Sequence, residues 1–234
     1  MSEMLQITDA EDASRVLSEH NGKWVPSRRG RYGHPTYMVP KRIIDFTLSL
    51  TALILLFPVF AFIAIVLALK DGFPVVFRHE RVGYKGKHIQ IYKFRTMVKN
   101  ADEVLKANPA LYEEFQKNFK LEHDPRITKF GHFLRKSTLD ELPQLVNVLK
   151  GDMALVGPRP IVPAEIEKYG DAQDVYLSMI PGCAGLWQCN GRSDTSYKER
   201  IELDREYSQH ASLRTDASIL IRTIFSVFLG RGAK

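Results

Sequence analysis

The chain has 234 residues, of which 44% are hydrophobic, with a formal net charge of +6 and a pI near 9.2. This length supports one sizeable core or two small ones, and the positive charge favours anionic partners such as nucleic acid, lipid headgroups or phosphorylated substrates. Only Cys183 and Cys189 are present and no zinc-ribbon spacing occurs, so neither a disulfide framework nor a zinc site is expected.

Residues 1–40 combine a polar, acidic start with several prolines, glycines and arginines. The start lacks the apolar stretch of a secretory signal, so we expect the N-terminus to stay in the cytoplasm. The composition supports at most a short helix near residues 11–18. We therefore predict that residues 1–40 form a variable, partly disordered lead-in.

Residues 43–69 form an apolar run that, as a straight helix, is long enough to cross a hydrocarbon core of roughly 30 Å. Two features favour a re-entrant element over a simple span. Pro58 lies in the middle of the run and kinks a helix there. Basic residues flank both ends, and positive charge marks the cytoplasmic side of a membrane, so both ends are best placed on that side. Asp45, near the entry, can pair with Lys41 or Arg42.

Residues 75–97 contain two apolar runs separated by the turn sequence GYKGK at 83–87, which predicts a β-hairpin. In the second run Lys93 and Arg95 share one face by the period of two, so the two cations are expected to project together. The following residues, 98–121 and 127–135, have helical patterns with breaks at Pro109 and Pro125.

Residues 137–151 place the acidic pair Asp140 and Glu141 at the start of an amphipathic helix that Gly151 ends. Because Pro143 is tolerated only in a first turn, the helix is expected to begin close to Asp140. The helix dipole and free N–H groups there favour ionised carboxylates and bound phosphates. From this segment alone, capping by the two acids is a better explanation than catalysis.

Nearby cations favour a catalytic role for the acidic pair over a capping role. Arg135 precedes the acidic pair, and Arg159 follows it between two prolines in the rigid sequence GPRP at 157–160. The planar fork of arginine suits phosphate recognition. Phosphoryl transfer needs one acid as nucleophile, a second as metal ligand or orienting group, and cations to stabilise the transferring phosphate. An aspartate with its ordinary pKa of about 3.9 is ionised at neutral pH and needs no separate base.

Several motifs occur in one order along residues 40–234. They are KR at 41–42 with Asp45 before a proline-broken helix, KFRTM at 93–97, LDELPQL at 139–145, KGDM at 150–153, VGPRP at 156–160, PG at 181–182, GLWQ at 185–188 and GR at 191–192. With them the chain resembles the monotopic phosphoglycosyl transferases, also called bacterial sugar transferases. Within that family it looks closest to the undecaprenyl-phosphate galactose phosphotransferases of exopolysaccharide synthesis.

The resemblance implies an α+β fold in which a mostly helical small catalytic domain contains a short β-hairpin. A Pro-kinked re-entrant membrane helix at residues 41–71 would precede a cytoplasmic catalytic domain at 72–234, with interfacial amphipathic helices alongside. It implies an enzyme of the bacterial inner membrane that faces the cytoplasm, with membrane lipid as a partner, no nucleic-acid partner, and a homodimer as one option for its assembly.

The resemblance also implies a mechanism. Asp140 would attack the β-phosphate of a UDP-sugar, release UMP and hold the sugar phosphate, best guessed as galactose 1-phosphate, until undecaprenyl phosphate accepts it. Glu141 would assist, with Mg²⁺ bound at both acids. The residues implied in substrate or phosphate binding are Lys93, Arg95, Arg135, Arg159 and Asp216.

Some residues keep alternative explanations. Asp216 could instead be the N-cap of the apolar helix at 217–229, and that helix could be core or could lie on the membrane surface. Trp187 and the GR pair could shape a nucleotide pocket, or they could have only structural roles in the core and in a turn. Phe57 stands where many relatives have serine, so re-entrance rests more heavily on Pro58.

Two other functions fit part of the pattern. A membrane-tethered basic protein that gathers nucleic acid or anionic lipid explains the charge, but it gives no reason for an acidic pair between arginines. A lipid-linked glycosyltransferase would use the same donor and release UDP instead of UMP.

Overall fold

The proline-broken apolar run folds as two helices that meet at a sharp bend. In the computed structural model, which describes residues 32–118, 121, 123–190 and 195–228, helix α1 covers Pro35–Leu55 and helix α2 covers Phe57–Lys70. Leu56 lies at the junction and Pro58 follows in the first turn of α2, where its missing N–H costs no helix hydrogen bond. Within the described ranges no single helix is long and apolar enough to cross a membrane, but α1 and α2, bent by 61°, pass that test together.

Helix α1 begins earlier than the sequence predicted. The side chain of His34 caps it by accepting from the Thr36 N–H, Pro35 occupies the first turn, and Pro40 is accommodated inside the helix. The last part of the predicted lead-in, from Pro35 to Pro40, is therefore helical, and the boundary at residue 40 does not coincide with the start of an element. The helix predicted near residues 11–18 lies outside the described residues.

The predicted hairpin is present. Strands β1 (Val76–Val82) and β2 (His88–Phe94) pair antiparallel, with Arg81 opposite Ile89 and Phe77 opposite Lys93. A second, smaller sheet pairs β3 (Ala154–Val156) with β4 (Gly182–Ala184) in parallel. The described chain is thus an α+β fold in which helices dominate.

The remaining elements are short helices and two long C-terminal ones. In chain order they are α3 (Ala101–Lys106), α4 (Pro109–Asn118), α5 (Lys129–Lys136), α6 (Gln144–Lys150), α7 (Gln173–Leu177), α8 (Leu186–Cys189), α9 (Tyr197–His210) and α10 (Leu213–Phe228), with 3₁₀ turns at Tyr84–Gly86, Leu139–Glu141 and Pro163–Ala172. The break at Pro109 and the helix after Pro125 agree with the sequence prediction.

Both limbs of the bent helix pair pack against the rest of the protein. Ile63 and Leu67 of α2 are almost fully buried and form one cluster with Phe94 and Leu134. Tyr37 of α1 belongs to the largest core cluster. Many other apolar side chains of the pair are exposed, among them Ile43, Ile54, Leu55, Phe57, Phe62, Ile65 and Leu69. The pair therefore has one face fixed to the fold and another that is apolar and uncovered.

The segment around the acidic pair differs from its prediction. Asp140 and Glu141 lie in the 3₁₀ turn, and the α-helix begins only at Gln144, after Pro143. Gly151 ends it with φ of +85°, as the sequence predicted. Pro143 is the N-cap of this helix, where its missing N–H costs no hydrogen bond, so its presence is compatible with a start after the acids as well as at them. The two acids are therefore not the first turn of a continuous α-helix.

Candidate active site

The two acids of the 3₁₀ turn differ in their surroundings. Asp140 is buried, whereas about a quarter of the Glu141 side chain is exposed. Thr138, immediately before the turn, adopts a left-handed conformation with φ of +60°, which turns the chain sharply after α5. Lys93, near the end of β2, donates from Nζ to Glu141 Oε1 at 2.5 Å. The hairpin and the acidic turn thus meet at a direct ion pair.

The charges around the pair separate the pKa values of the two carboxyl groups. Burial, reinforced by the neighbouring Glu141, raises the pKa of Asp140 to about 6, although Lys93 and Arg135 oppose the rise. Burial would also raise the pKa of Glu141, but Lys93 and Arg159 outweigh it and lower that pKa to about 2. One carboxylate is therefore permanently charged and paired, and the other remains mostly ionised at neutral pH with a higher basicity.

A small pocket lies on the Glu141 side of the turn. Its lining combines strands β1, β2 and β4 with α6, α8 and the GPRP segment: Arg81, Ile91, Lys93, Glu141, Gln144, Arg159, Pro160, Gly182, Cys183 and Gln188. Three of these side chains are cationic and one is a carboxylate. Such a pocket favours an anionic ligand.

The backbone crossing at Gly157 and Gly182 holds Arg159 at this pocket. A Cβ on Gly182 would lie 2.1 Å from the Gly157 nitrogen, so both positions require glycine. The Arg159 guanidinium lies 5.9 Å from the centre of the Trp187 ring, and Arg200 lies over the same ring at 4.4 Å. Trp187 is buried in the core and supports the two arginines. The GR pair at 191–192 lies outside the described residues.

Arg135 approaches the acidic pair from α5. Its Nε donates to Thr96 Oγ1 at 2.9 Å, and its charge acts on Asp140. Arg135 does not line the pocket on the Glu141 side. The predicted site residues Lys93, Arg135, Arg159 and the two acids are therefore brought together, with the cations on different sides of the pair.

The expectation that Lys93 and Arg95 project together is wrong. Arg95 is buried and donates from Nη2 to the backbone oxygens of Asp71 and Gly72, at the end of α2. Its backbone N–H still bonds to the Val75 oxygen, but the side chain is drawn to free backbone oxygens at the end of α2, a tertiary contact that the period of two cannot predict. Its contacts join the bent helix pair to the hairpin, and it does not line the pocket.

Asp216 also does not line the pocket, and it lies in a buried network with side chains of α1. It accepts hydrogen bonds from Tyr37, Lys41 and Tyr207, with its Oδ2 2.9 Å from Lys41 Nζ, and Lys41 also pairs with Asp45 at 3.5 Å. Helix α10 begins at Leu213, and Ser212 accepts from the Thr215 N–H, so Asp216 is not the N-cap. Its contacts tie α10 to the N-terminal half of α1.

Four polar side chains of the pocket were not predicted as site residues: Arg81, Gln144, Cys183 and Gln188. A signal for Arg81 exists in the sequence. Once the turn at 83–87 fixes an antiparallel register, residues 77, 79 and 81 share a face with 89, 91 and 93, which places Arg81 on the side of Lys93. Gln144, Cys183 and Gln188 give no comparable pattern because tertiary packing alone brings α6, β4 and α8 to the pocket.

Comparison with known proteins extends over nearly the whole chain. Residues 36–230 match the family model described as bacterial sugar transferase. The chain is 42% identical to the exopolysaccharide production protein ExoY of Sinorhizobium fredii over 224 aligned residues. The alignment covers 94% of this chain and 99% of that protein.

Two longer relatives match over a shorter stretch. The undecaprenyl-phosphate galactose phosphotransferase of Salmonella typhimurium is 47% identical over 197 residues, which is 82% of this chain and 41% of that protein. The UDP-glucose:undecaprenyl-phosphate glucose-1-phosphate transferase of Escherichia coli is 38% identical over 201 residues, again 82% of this chain and 41% of that protein.

Proposed function

Because the chain belongs to the bacterial sugar transferase family, we propose that it transfers a hexose 1-phosphate from a UDP-sugar to undecaprenyl phosphate. The transfer would be the first step of exopolysaccharide assembly, and UMP would be the nucleotide released. The observation that carries the proposal is a buried Asp140 beside the Glu141–Lys93 ion pair, with arginines on two sides.

In the first step an Asp140 oxygen attacks the β-phosphorus of the donor. The bond from that phosphorus to the bridging oxygen breaks, and the oxygen leaves with its electron pair as part of UMP, so no proton transfer is needed. The product is an aspartyl phosphosugar. The raised pKa of Asp140, about 6, supports this role, because the carboxylate is more basic than an ordinary aspartate yet mostly ionised at neutral pH.

In the second step a phosphate oxygen of undecaprenyl phosphate attacks the same phosphorus. The bond to Asp140 breaks and the carboxylate is regenerated, which yields an undecaprenyl diphosphate sugar. Lys93 and Arg135 act on Asp140 in the free enzyme and would stabilise the charge of the transferring phosphoryl group in both steps.

The acidic pair also fits Mg²⁺, the ion that we expect. No group of three or more histidine, cysteine, aspartate or glutamate side chains suited to a metal occurs among the described residues. Mg²⁺ commonly uses only one or two carboxylates and takes its other ligands from water and substrate phosphates, so Asp140 and Glu141 are a sufficient donor set. When bound, the ion would neutralise charge on the diphosphate.

Galactose 1-phosphate is the sugar phosphate that we propose. Its support is the relative from Salmonella typhimurium, whose name specifies galactose and whose identity of 47% exceeds the 38% of the glucose-1-phosphate transferase from Escherichia coli. The pocket residues give no independent preference between the two sugars, which differ in the orientation of one hydroxyl.

We also propose that the bent pair α1–α2 enters the cytoplasmic leaflet of the inner membrane and returns. The 61° bend and the exposed apolar face support this placement, as do basic residues at both ends. A contact of Arg42 also supports this placement. Its guanidinium donates to the Val148 and Leu149 oxygens at the end of α6, and these bonds hold the N-terminal half of α1 against the catalytic fold. A return to the same side would keep the acidic pair close to the lipid acceptor.

Nucleotide release tests the proposal. Membranes that contain the protein, supplied with Mg²⁺, undecaprenyl phosphate and UDP-galactose, are expected to release UMP, with UDP-glucose as the matched alternative donor. Membranes with Asp140→Asn are the negative control, and Asp152→Asn, which changes an acid outside the pocket, is the positive one. Release of UDP would indicate a glycosyltransferase, and no nucleotide from any sugar donor would contradict the proposal.

A further inference from the structure

Arg81 lines the pocket, and neither of the two proposed transfer steps assigns it a role. It lies on β1, and only 12% of its side chain is exposed. Its Nη2 contacts His79 Nδ1 at 3.0 Å and its Nη1 donates to the Pro160 oxygen at 3.3 Å. Burial and Arg81 lower the pKa of His79 to about 4, so this imidazole is neutral at physiological pH and can accept the hydrogen bond. These two neighbours therefore do not neutralise the Arg81 charge.

The carboxylates near Arg81 pair with it only weakly or are engaged elsewhere, since Glu141 is paired with Lys93. The carboxylate contact of Arg81, Glu165, is distant at 3.9 Å, and the Arg81 Nε is buried with no hydrogen-bond partner in the described chain. Arg159 lies close enough to repel it and, together with burial, lowers the pKa of Arg81 to about 10. Holding two buried arginines this close is costly, and an anion bound between them would offset that cost.

The cations are unevenly placed around the acidic turn. Arg135 acts on Asp140, and neither of these two residues lines the pocket beside Glu141. Arg81 and Arg159 line that pocket together with Lys93, which acts on both acids. An in-line displacement at phosphorus places the attacking and leaving oxygens on opposite sides. If Asp140 attacks, the leaving phosphate lies on the side away from the attacking Asp140 oxygen, and the pocket that Asp140 does not line supplies cations for it.

We propose that Arg81, together with Arg159, binds the phosphate of the departing nucleotide. This inference rests on the proposed function, because it assumes attack by Asp140 on the β-phosphorus. The oxygen that leaves carries its electron pair onto the nucleoside monophosphate, and the two guanidinium groups stabilise that new charge. Arg81 then contributes to the first step and to its reversal by UMP, but not to transfer from Asp140 to undecaprenyl phosphate.

The two steps can be measured separately. Exchange of radiolabelled UMP into UDP-galactose, with Mg²⁺ and without undecaprenyl phosphate, reports the first step alone. Transfer after complete loading with labelled UDP-galactose, removal of nucleotide and addition of undecaprenyl phosphate reports the second. For Arg81→Gln we expect exchange to fall by roughly 10²–10³-fold, the range for loss of one oxyanion donor. The rate of the second step in Arg81→Gln is expected to stay within about threefold of the rate in the unmodified protein, a much smaller change than the loss of exchange.

Arg78→Gln is the matched control. Arg78 lies on the same strand, is exposed and does not line the pocket, so exchange is expected to remain unchanged. Arg81→Lys keeps the charge but loses the planar fork, and we expect an intermediate loss of exchange. If Arg81→Gln does not fold, Arg81→Lys alone decides the question.

A purely structural role for Arg81 predicts a different result. It would slow both steps equally, or lower thermal stability without a selective loss of exchange, and either outcome would overturn the inference. Absence of UMP exchange in the unmodified protein is a separate result, which would contradict the proposed function itself. Selective retention of exchange in Arg81→Gln would reject the inference and leave the proposed function intact.

Discussion

Lys93 and Glu141 form an ion pair of 2.5 Å that joins the end of the hairpin to the acidic turn. The pair fixes Glu141 as a charged group and leaves Asp140, next to it in sequence, as the carboxylate with the higher pKa. Adjacent acids with pKa values pushed apart by their surroundings are suited to different roles. In our account Asp140 is the nucleophile, and Glu141 orients Lys93 and assists.

The first prediction concerns pH. Because the pKa of Asp140 is about 6, about nine tenths of this carboxylate is ionised at pH 7 and about one tenth at pH 5. We expect kcat/KM for UMP release to fall roughly tenfold per pH unit below about pH 6, since only the ionised form attacks. A rate that stays constant down to pH 5 would show that Asp140 does not act as an ionised nucleophile with this pKa.

Removal of the Lys93 charge should affect both acids. In Lys93→Gln the cation that favours the ionised forms is lost, so the pKa of Asp140 is expected to rise and the acidic limb of the pH profile to move above pH 6. At pH 7 we expect kcat/KM to fall by roughly 10²-fold. Lys150→Gln, an exposed lysine on α6, is the control and should leave the profile unchanged. An unshifted limb in Lys93→Gln would contradict the proposed electrostatics.

The same substitution should lower stability in a defined pH range. Glu141 has a lower pKa in the folded protein than in the unfolded chain, so its ion pair stabilises the fold above about pH 4.5, and this contribution disappears as the pH falls through about 2. At pH 7 we expect Lys93→Gln to lower the free energy of unfolding by about 1–3 kcal/mol. Urea unfolding in detergent at pH 7 measures the difference, and no loss there would show that the pair contributes nothing to the fold.

The crossing of Gly157 and Gly182 should not tolerate a side chain. In Gly182→Ala the new Cβ would overlap backbone atoms at 2.1 Å and 2.6 Å, so β3 and β4 must separate and Arg159 must move. We expect a loss of at least about 3 kcal/mol in unfolding free energy, the upper end for overpacking. Gly86→Ala is the control: its Cβ meets open space, and only its φ of +75° costs about 1–2 kcal/mol. Equal losses in the two variants would show that the crossing is not tight.

The membrane placement predicts that both ends of the bent pair lie on one side. In a chain with Cys183→Ala and Cys189→Ala, single cysteines can be placed at the exposed positions of His34 and Phe73. An impermeant maleimide should label both positions in inside-out vesicles and neither in right-side-out vesicles. Labelling from opposite sides would establish a single span, and the chain with neither cysteine controls for background.

Much of the fold could be predicted from local patterns. The hairpin followed from its turn sequence and two apolar runs, and the break of the apolar helix followed from Pro58. Gly151 marked the end of α6 because its left-handed conformation suits glycine. The start of α6 was misplaced because the sequence fixes only that Pro143 lies near it; whether the acids form an α-helical or a 3₁₀ turn depends on their packing against Lys93 and α5.

The sequence predicted the site residues that belong to recognisable motifs, but not the positions that tertiary packing alone determines. Asp140, Glu141 and Lys93 meet as the motifs suggested, and Arg159 lies at the pocket because two prolines and a glycine crossing hold it there. Arg95 and Asp216 could not be placed from the sequence, since the position of each depends on long-range contacts with the bent helix pair. The pairing register that would have revealed Arg81 is itself a tertiary feature.

The central claim is a covalent phosphosugar on Asp140, and mass spectrometry tests it most directly. The protein is incubated with Mg²⁺ and UDP-galactose in the absence of undecaprenyl phosphate, quenched in acid and digested. Our account predicts a galactosyl phosphate adduct on the peptide with Asp140, lost on treatment with hydroxylamine or on addition of undecaprenyl phosphate, and absent in Asp140→Asn. Turnover to the lipid product in an Asp140→Asn protein, or an adduct on another residue that forms and decays at the rate of turnover, would contradict it.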